Sequence, residues 1–198
     1  MTAPLVLAST SPYKKMLLER LKIPFNCVSP NTDEQPKIYE KPEALALRLA
    51  QEKAMAAADT NPNAIIIGSD QVGELNGKIL GKPGNFEQAF RQLSAQSGET
   101  VYFHSAVSVV KILENGNVTD KTTVNTTTVV FKQLTSLQIE NYLKQDKPYN
   151  CAGSFKSEGL GISLFSSINT NDPSSLVGLP LIDLCRLLAM HGVNIPNA

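Results

Sequence analysis

The apolar positions of this chain fall into short unbroken runs and longer helical stripes. "PLVLAS" and "AIIIGSD" read as strands, and the isoleucine run of the second is what burial on both faces of a sheet requires. This places the second strand in the middle of the sheet, with Asp70 at its end. Between them, "STSP" is a polar turn, and a helix from Pro12 is expected to point Met16, Leu17, Leu18 and Leu21 inward. "FNCVS" gives a short strand, and the proline-punctuated "PNTDEQPKIYEKP" a loop. An alanine- and leucine-rich helix follows from about Pro42 to about Asp59.

Beyond Asp70 the period changes. Asn76-Gly77 between short apolar runs is the signature of a tight hairpin, and "NFEQAFRQLSAQS" is a helix with Asn85 as cap and Gly98 as stop. The next segment is β-rich: "ENGN" marks a turn between two long strands, and the threonine-rich "TTVNTTTVVF" alternates like a half-exposed strand. "TSLQIENYLKQ" is a helix capped at Thr135 or Ser136, and "PLIDLCRLLAMHG" a closing amphipathic helix with His191 in its last turn. No repeat, low-complexity tract or linker divides residues 1–198, so the pattern predicts one mixed α/β domain with a long antiparallel section.

Composition narrows the partners. Lysine plus arginine and aspartate plus glutamate each count 18, so no net field favours duplex nucleic acid or an anionic membrane, and any anionic ligand must be gripped locally. Cys27, Cys151 and Cys185 are far apart and form no CxxC pair, which disfavours a disulfide framework or structural zinc and suits a reducing cytoplasm. No basic leader opens the chain and no window approaches eighteen apolar residues, so a cytoplasmic protein without a membrane segment is expected. The two histidines, His104 in an alternating strand and His191 at a helix end, read as structural, which weighs against a Ser-His-Asp hydrolase.

Four polar clusters fall where loops display side chains: "STSPYKK", "TDEQ", "GSDQ" with "GKP", and "CAGSFKSEG". Ser9, Thr10 and Ser11 before a helix N-terminus, with Lys14 and Lys15 behind, suit a phosphate, although the same hydroxyls suit plain capping. Asp33 and Glu34 lie in a loop without obvious basic partners. Asp70 could take a proton or hold a divalent cation, and two acids from separate loops suit magnesium or manganese on a polyphosphate. Lys53, inside a helix, reads as a solvated side chain, and Lys82 sits in a turn beside a proline.

As an ordered set, "LASTSPYKKMLLERL", "DE" at Asp33 and Glu34, "QEKA" around Lys53, "GSDQV", "GKP", "CAGSFKSEG" and "VGLPL" resemble the Maf family of nucleoside triphosphate pyrophosphatases. The resemblance runs from Leu7 to Leu181. It implies an elongated mixed sheet with flanking helices, two lobes around a central cleft as in inosine triphosphatase-like folds, and compatibility with a homodimer. It implies a small-molecule nucleotide substrate cleaved between its α and β phosphates with a divalent metal cation, Mg, Mn or Co, in a housecleaning role. Carried over by motif, Asp70 is the catalytic base, Ser9, Lys14, Lys53 and Lys82 grip the phosphates, and Glu34 with Asp70 holds metal. Many members carry arginine where this chain has Lys14, which keeps the charge and loses the bidentate fork. Tyr13, Gln71 and Glu158 together resemble the branch acting on 7-methyl-GTP, whose cationic base an aromatic face and a carboxylate both favour. The alternatives are the branch handling dTTP and UTP, and a non-catalytic nucleotide-binding regulator of cell division.

Overall fold

A computed structural model describes residues 3–113 and 116–196; Glu114 and Asn115 of the expected "ENGN" turn lie outside the described residues. The first half runs β1 (Leu5–Ala8), α1 (Pro12–Glu19), β2 (Phe25–Val28), α2 (Pro42–Ala58), β3 (Ile65–Leu75), β4 (Lys78–Leu80) and α3 (Phe86–Gln96). The second half runs β5 (Thr100–Ile112), β6 (Val118–Phe131), α4 (Ser136–Asp146), β7 (Phe165–Asn169) and α5 (Leu181–Met190). The strands form one mixed sheet in the order β2-β1-β3-β5-β6-β7, with β4 also on β3. β1 pairs in parallel with β2 and β3, whereas from β3 through β5 and β6 to β7 each strand is antiparallel to the next. No helix among the described residues is long and apolar enough to cross a membrane.

The isoleucine run divides between the two faces of the sheet, as a period of two demands. Ile65 and Ile67 pack with Leu5, Leu7, Val107 and Val109 against Leu17 and Leu18 of α1 and Leu184 and Leu188 of α5. Ile66 points the other way, with Val6 and Ala8, onto Ala54, Ala57 and Ala58 of α2. Gly68 continues that second face, and a Cβ there would stand 2.1 Å from the Ala50 carbonyl oxygen, so α2 rests directly on the strand backbone. A separate core gathers Leu75, Leu80, Val101 and Phe103 with Leu93 of α3, Leu143 of α4 and the edge-to-face rings Phe131, Phe155 and Phe165.

Two expectations are corrected. Met16 turns out to solvent, because the eight-residue α1 meets the sheet mainly through Leu17 and Leu18, with Leu21 half-buried beside them. Asp70 is not at a strand end: β3 continues unbroken to Leu75, because β5 pairs with it all the way from Ile65 to Glu74. The polar residues 69–71 interrupt the apolar pattern without interrupting the hydrogen-bonded ladder.

Candidate active site

The edge of β3 that faces away from β5 is shared by two strands. β1 pairs along it only as far as Gly68, and β4 takes it up again at Gly73. Ser69, Asp70, Gln71 and Val72 therefore line a gap in the sheet, and a cleft of about 550 Å³ opens there. The cleft collects Ser9, Tyr13, Lys14, Glu34, Lys53, Asp70, Gln71, Lys82 and Glu158, whereas Lys15 turns out to pair with Glu19 on the surface of α1 and Asp33 Oδ1 accepts the Gln35 amide within its own loop.

Alternation along β3 sends Asp70 to the α2 face, and the close seating of α2 on Gly68 brings Lys53 to meet it. Lys53 Nζ lies 2.6 Å from Asp70 Oδ1 and 2.6 Å from Glu34 Oε1. Lys53 is only 7% exposed. This corrects two readings: Lys53 is not a solvated helix side chain, and Glu34 does have a basic partner. Burial alone would push the Lys53 ammonium down, but the Asp70 and Glu34 carboxylates outweigh it and hold its pKa raised. Burial likewise opposes the charged form of Glu34, and Lys53, then Lys82 and Lys14, overcome it and hold the carboxyl below its usual range.

The opposite face carries Ser69 and Gln71. Ser69 Oγ donates to the Gly178 carbonyl at 3.0 Å, while its own carbonyl, left free by the gap, accepts Lys14 Nζ at 2.6 Å. Taking the Lys14 ammonium out of water pushes its pKa down to about 8, with Asp70 the main opposing influence. Gln71 Nε2 donates within 3.0 Å to Ser105 Oγ and to the carbonyls of Ser175 and Leu176. Both amide hydrogens are thus occupied by the protein, and the carbonyl oxygen is the polar atom left for the cleft.

Two further groups complete the lining. Ser11 caps α1, its hydroxyl accepting from Lys14 N, and Ser11 N donates to Ser9 Oγ at 3.1 Å. The Ser11 hydroxyl is thus spent on capping, while the same loop lines the cleft. Burial, then the neighbouring Cys151 and Glu158, push the Tyr13 phenol's pKa up to about 12, so it stays a neutral ring. The turn carrying Cys151 depends on Gly153, whose φ of 72° and close contact with Phe103 leave no room for a side chain.

A family model described as Maf-like protein matches residues 4–191. The chain belongs to the Maf-like protein family. Relatives of this Maf-like chain include a 7-methyl-GTP pyrophosphatase from Methylobacillus flagellatus, 50% identical over 192 residues and covering 97% of this chain and 98% of that protein. Another 7-methyl-GTP pyrophosphatase, from a Polaromonas species, is 51% identical over 190 residues, covering 96% of this chain and 85% of that protein. Among solved structures, a nucleoside-triphosphatase / dITP/XTP pyrophosphatase from Mycobacterium abscessus aligns over 96% of both chains at 17% identity and a TM-score of 0.44, a likeness too loose to carry an argument.

Among the described residues of the Maf-like chain, no group of three or more His, Cys, Asp or Glu side chains is gathered as a metal cage. The pair Glu34 and Asp70 nevertheless fits a hard divalent cation. Their oxygens converge on one cationic point, and magnesium-type ions commonly take one or two carboxylates with substrate phosphates and water supplying the rest. Sequence reasoning missed Ser69, whose backbone rather than side chain holds Lys14; only the pairing of β1 and β4 reveals that free carbonyl. It also gave no weight to Cys151 as a neighbour of Tyr13 in the cleft, which no local spacing signals.

Proposed function

We propose that this Maf-like chain hydrolyses 7-methyl-GTP to 7-methyl-GMP and diphosphate with the help of a divalent cation. The observation that carries the reading is the placement of Asp70, Lys53 and Glu34 in one cleft with Lys14 and Lys82, the arrangement a bound triphosphate needs. The substrate follows from relatives bearing that activity at about half identity, together with Tyr13 and Glu158 lining the same cleft. A base carrying a positive charge at N7 is favoured by an aromatic face and a carboxylate.

In this reading the triphosphate draws Lys14, Lys53 and Lys82 onto its oxygens. Withdrawal of Lys53 from Asp70 frees that carboxylate to accept a proton from the attacking water. The water oxygen ends on the nucleoside monophosphate, the bond between the α and β phosphates breaks, and the lysines offset the charge gathered on the departing diphosphate. Glu34 and Asp70 would hold the cation, which when bound polarises the phosphate oxygens.

The test is diphosphate release from 7-methyl-GTP, GTP, dTTP and UTP with Mg, Mn or Co. Release fastest from 7-methyl-GTP is expected, and Asp70→Asn should lower kcat about 100- to 10,000-fold while leaving the fold intact. Faster turnover of dTTP or UTP would move the chain to the other branch. Nucleotide binding with no release from any triphosphate would make it a regulator.

A further inference from the structure

Glu34 sits in a stretch of chain, residues 29–41, that contains no helix or strand, so something outside the stretch must hold it near Lys53 and Asp70. The contacts trace to one side chain on α2. Arg48 Nη2 donates to the Gln35 carbonyl at 3.0 Å, one residue after Glu34. Its Nε and Nη2 grip both carboxylate oxygens of Glu40 at 2.7 and 2.8 Å, the fork geometry only arginine supplies. Glu40 Oε2 in turn accepts the Lys37 amide at 2.9 Å, which closes the tip of the loop on itself. The Arg48 and Glu40 side chains are 15% and 10% exposed, so the pair is sheltered from the screening that makes surface ion pairs weak. Arg48 does not line the cleft.

We propose that Arg48 is a positioning residue that, through Gln35 and Glu40, fixes the 33–40 loop so that the Glu34 carboxylate reaches Lys53 and Asp70. The inference rests on the catalytic reading of Glu34 given above. α2 then serves the site twice. Lys53 joins the two carboxylates, and five residues earlier Arg48 anchors the loop that delivers one of them.

Two measurements test this, one independent of turnover. In the metal-free and nucleotide-free protein, backbone amide exchange over residues 33–40, the Lys37 amide above all, should be about tenfold faster in Arg48→Gln than in wild type, with α2 unchanged. Glu52→Gln removes a further Arg48 contact, the one to Glu52 Oε2 at 2.8 Å, together with the exposed pair between Lys37 Nζ and Glu52 Oε1 at 3.9 Å, which solvent screening keeps weak, and should leave the loop within about twofold of wild type. Equal exchange in Arg48→Gln and wild type overturns the proposal whether or not the chain is an enzyme. In turnover, Arg48→Gln should lose about 10- to 100-fold in kcat/KM, and Arg48→Lys should recover only part of it. The double variant Arg48→Gln with Glu34→Gln should fall no lower than Glu34→Gln alone within about threefold, because both changes remove one interaction. Multiplicative losses would mean that Arg48 acts elsewhere and overturn it. Should Arg48→Gln fail to fold, Glu40→Gln reports the same loop through the same exchange, with unchanged exchange again the contrary result. Absence of diphosphate release by wild type would sink the proposed function and leave the exchange result to decide the loop.

Discussion

Lys14 carries a cost that its sequence position gave no hint of. Its ammonium is held against the Ser69 carbonyl and desolvated, with a pKa near 8 where the usual value is 10.5. The native state therefore releases this proton before the unfolded chain does, and stability should rise with pH between about 8 and 10.5. Triphosphate affinity should move the other way. Above about pH 8 the free protein must take up a proton to present a charged Lys14, so affinity should fall by up to about tenfold per pH unit relative to a Lys14→Met variant. Calorimetric titration with an α,β-methylene analogue at pH 7 and pH 9 checks this, and parallel pH profiles for the two proteins would contradict it. Lys53 was more legible than its reading as a solvated lysine allowed. Leu49, Ala50, Ala54 and Ala57 surround it at helical spacing, so it interrupts the buried stripe of α2, the mark of a charge with a partner. Gln71 was placed in the cleft by the sequence, but its amide is spent on Ser175 and Leu176, a long-range contact no local pattern encodes.

At the scale of elements, the helices and most strands were legible because their periods are strong and their caps explicit: Asn85 accepts Gln88 N, and Thr135 forms a full capping box with Gln138. The length of β3 was not legible, because Gly68, Ser69 and Asp70 are poor strand formers and their pairing with β5 is non-local. Gly68 couples this strand to the chemistry. An added Cβ would meet the Ala50 carbonyl oxygen at 2.1 Å and Ala54 N at 2.7 Å, both backbone atoms of α2 that cannot rotate away. Gly68→Ala should therefore lift α2 from the sheet, costing about 1–3 kcal/mol of stability and drawing Lys53 away from Asp70. Gly81, with open space at its Cβ position, should accept alanine with a change within about 0.5 kcal/mol. Thermal unfolding of the two variants makes the comparison, and an unaffected Tm in Gly68→Ala would show that α2 does not bear on the strand as described.

The cleft separates two cores, yet the same strands build both. β5 gives Val101 and Phe103 to the core with α3 and α4, and Val107 and Val109 to the one with α1 and α5. β3 does the same with Leu75 on one side and Ile65 and Ile67 on the other. Neither core can lose its strands without breaking the ladder that runs through the other, so the cleft is a gap in a continuous sheet and not a hinge between independent units. The sequence order of the motifs could not show this, because the gap exists only where β1 and β4 meet opposite ends of one strand edge. Residues 1–198 should accordingly unfold as a single cooperative unit, with calorimetric and van't Hoff enthalpies in agreement. A non-hydrolysable triphosphate that binds only the assembled cleft should shift the whole transition upward, by about 2.7 kcal/mol when present at a hundred times its Kd. Tyr142 lies in the core of α3 and α4, so in a variant with Tyr13, Tyr39, Tyr102 and Tyr149 replaced by phenylalanine its near-ultraviolet signal should melt together with the far-ultraviolet signal of the whole chain. A tyrosine transition that precedes the backbone transition, or a ligand shift confined to one of them, would mean that the two cores fold separately and that the cleft is an interface between them.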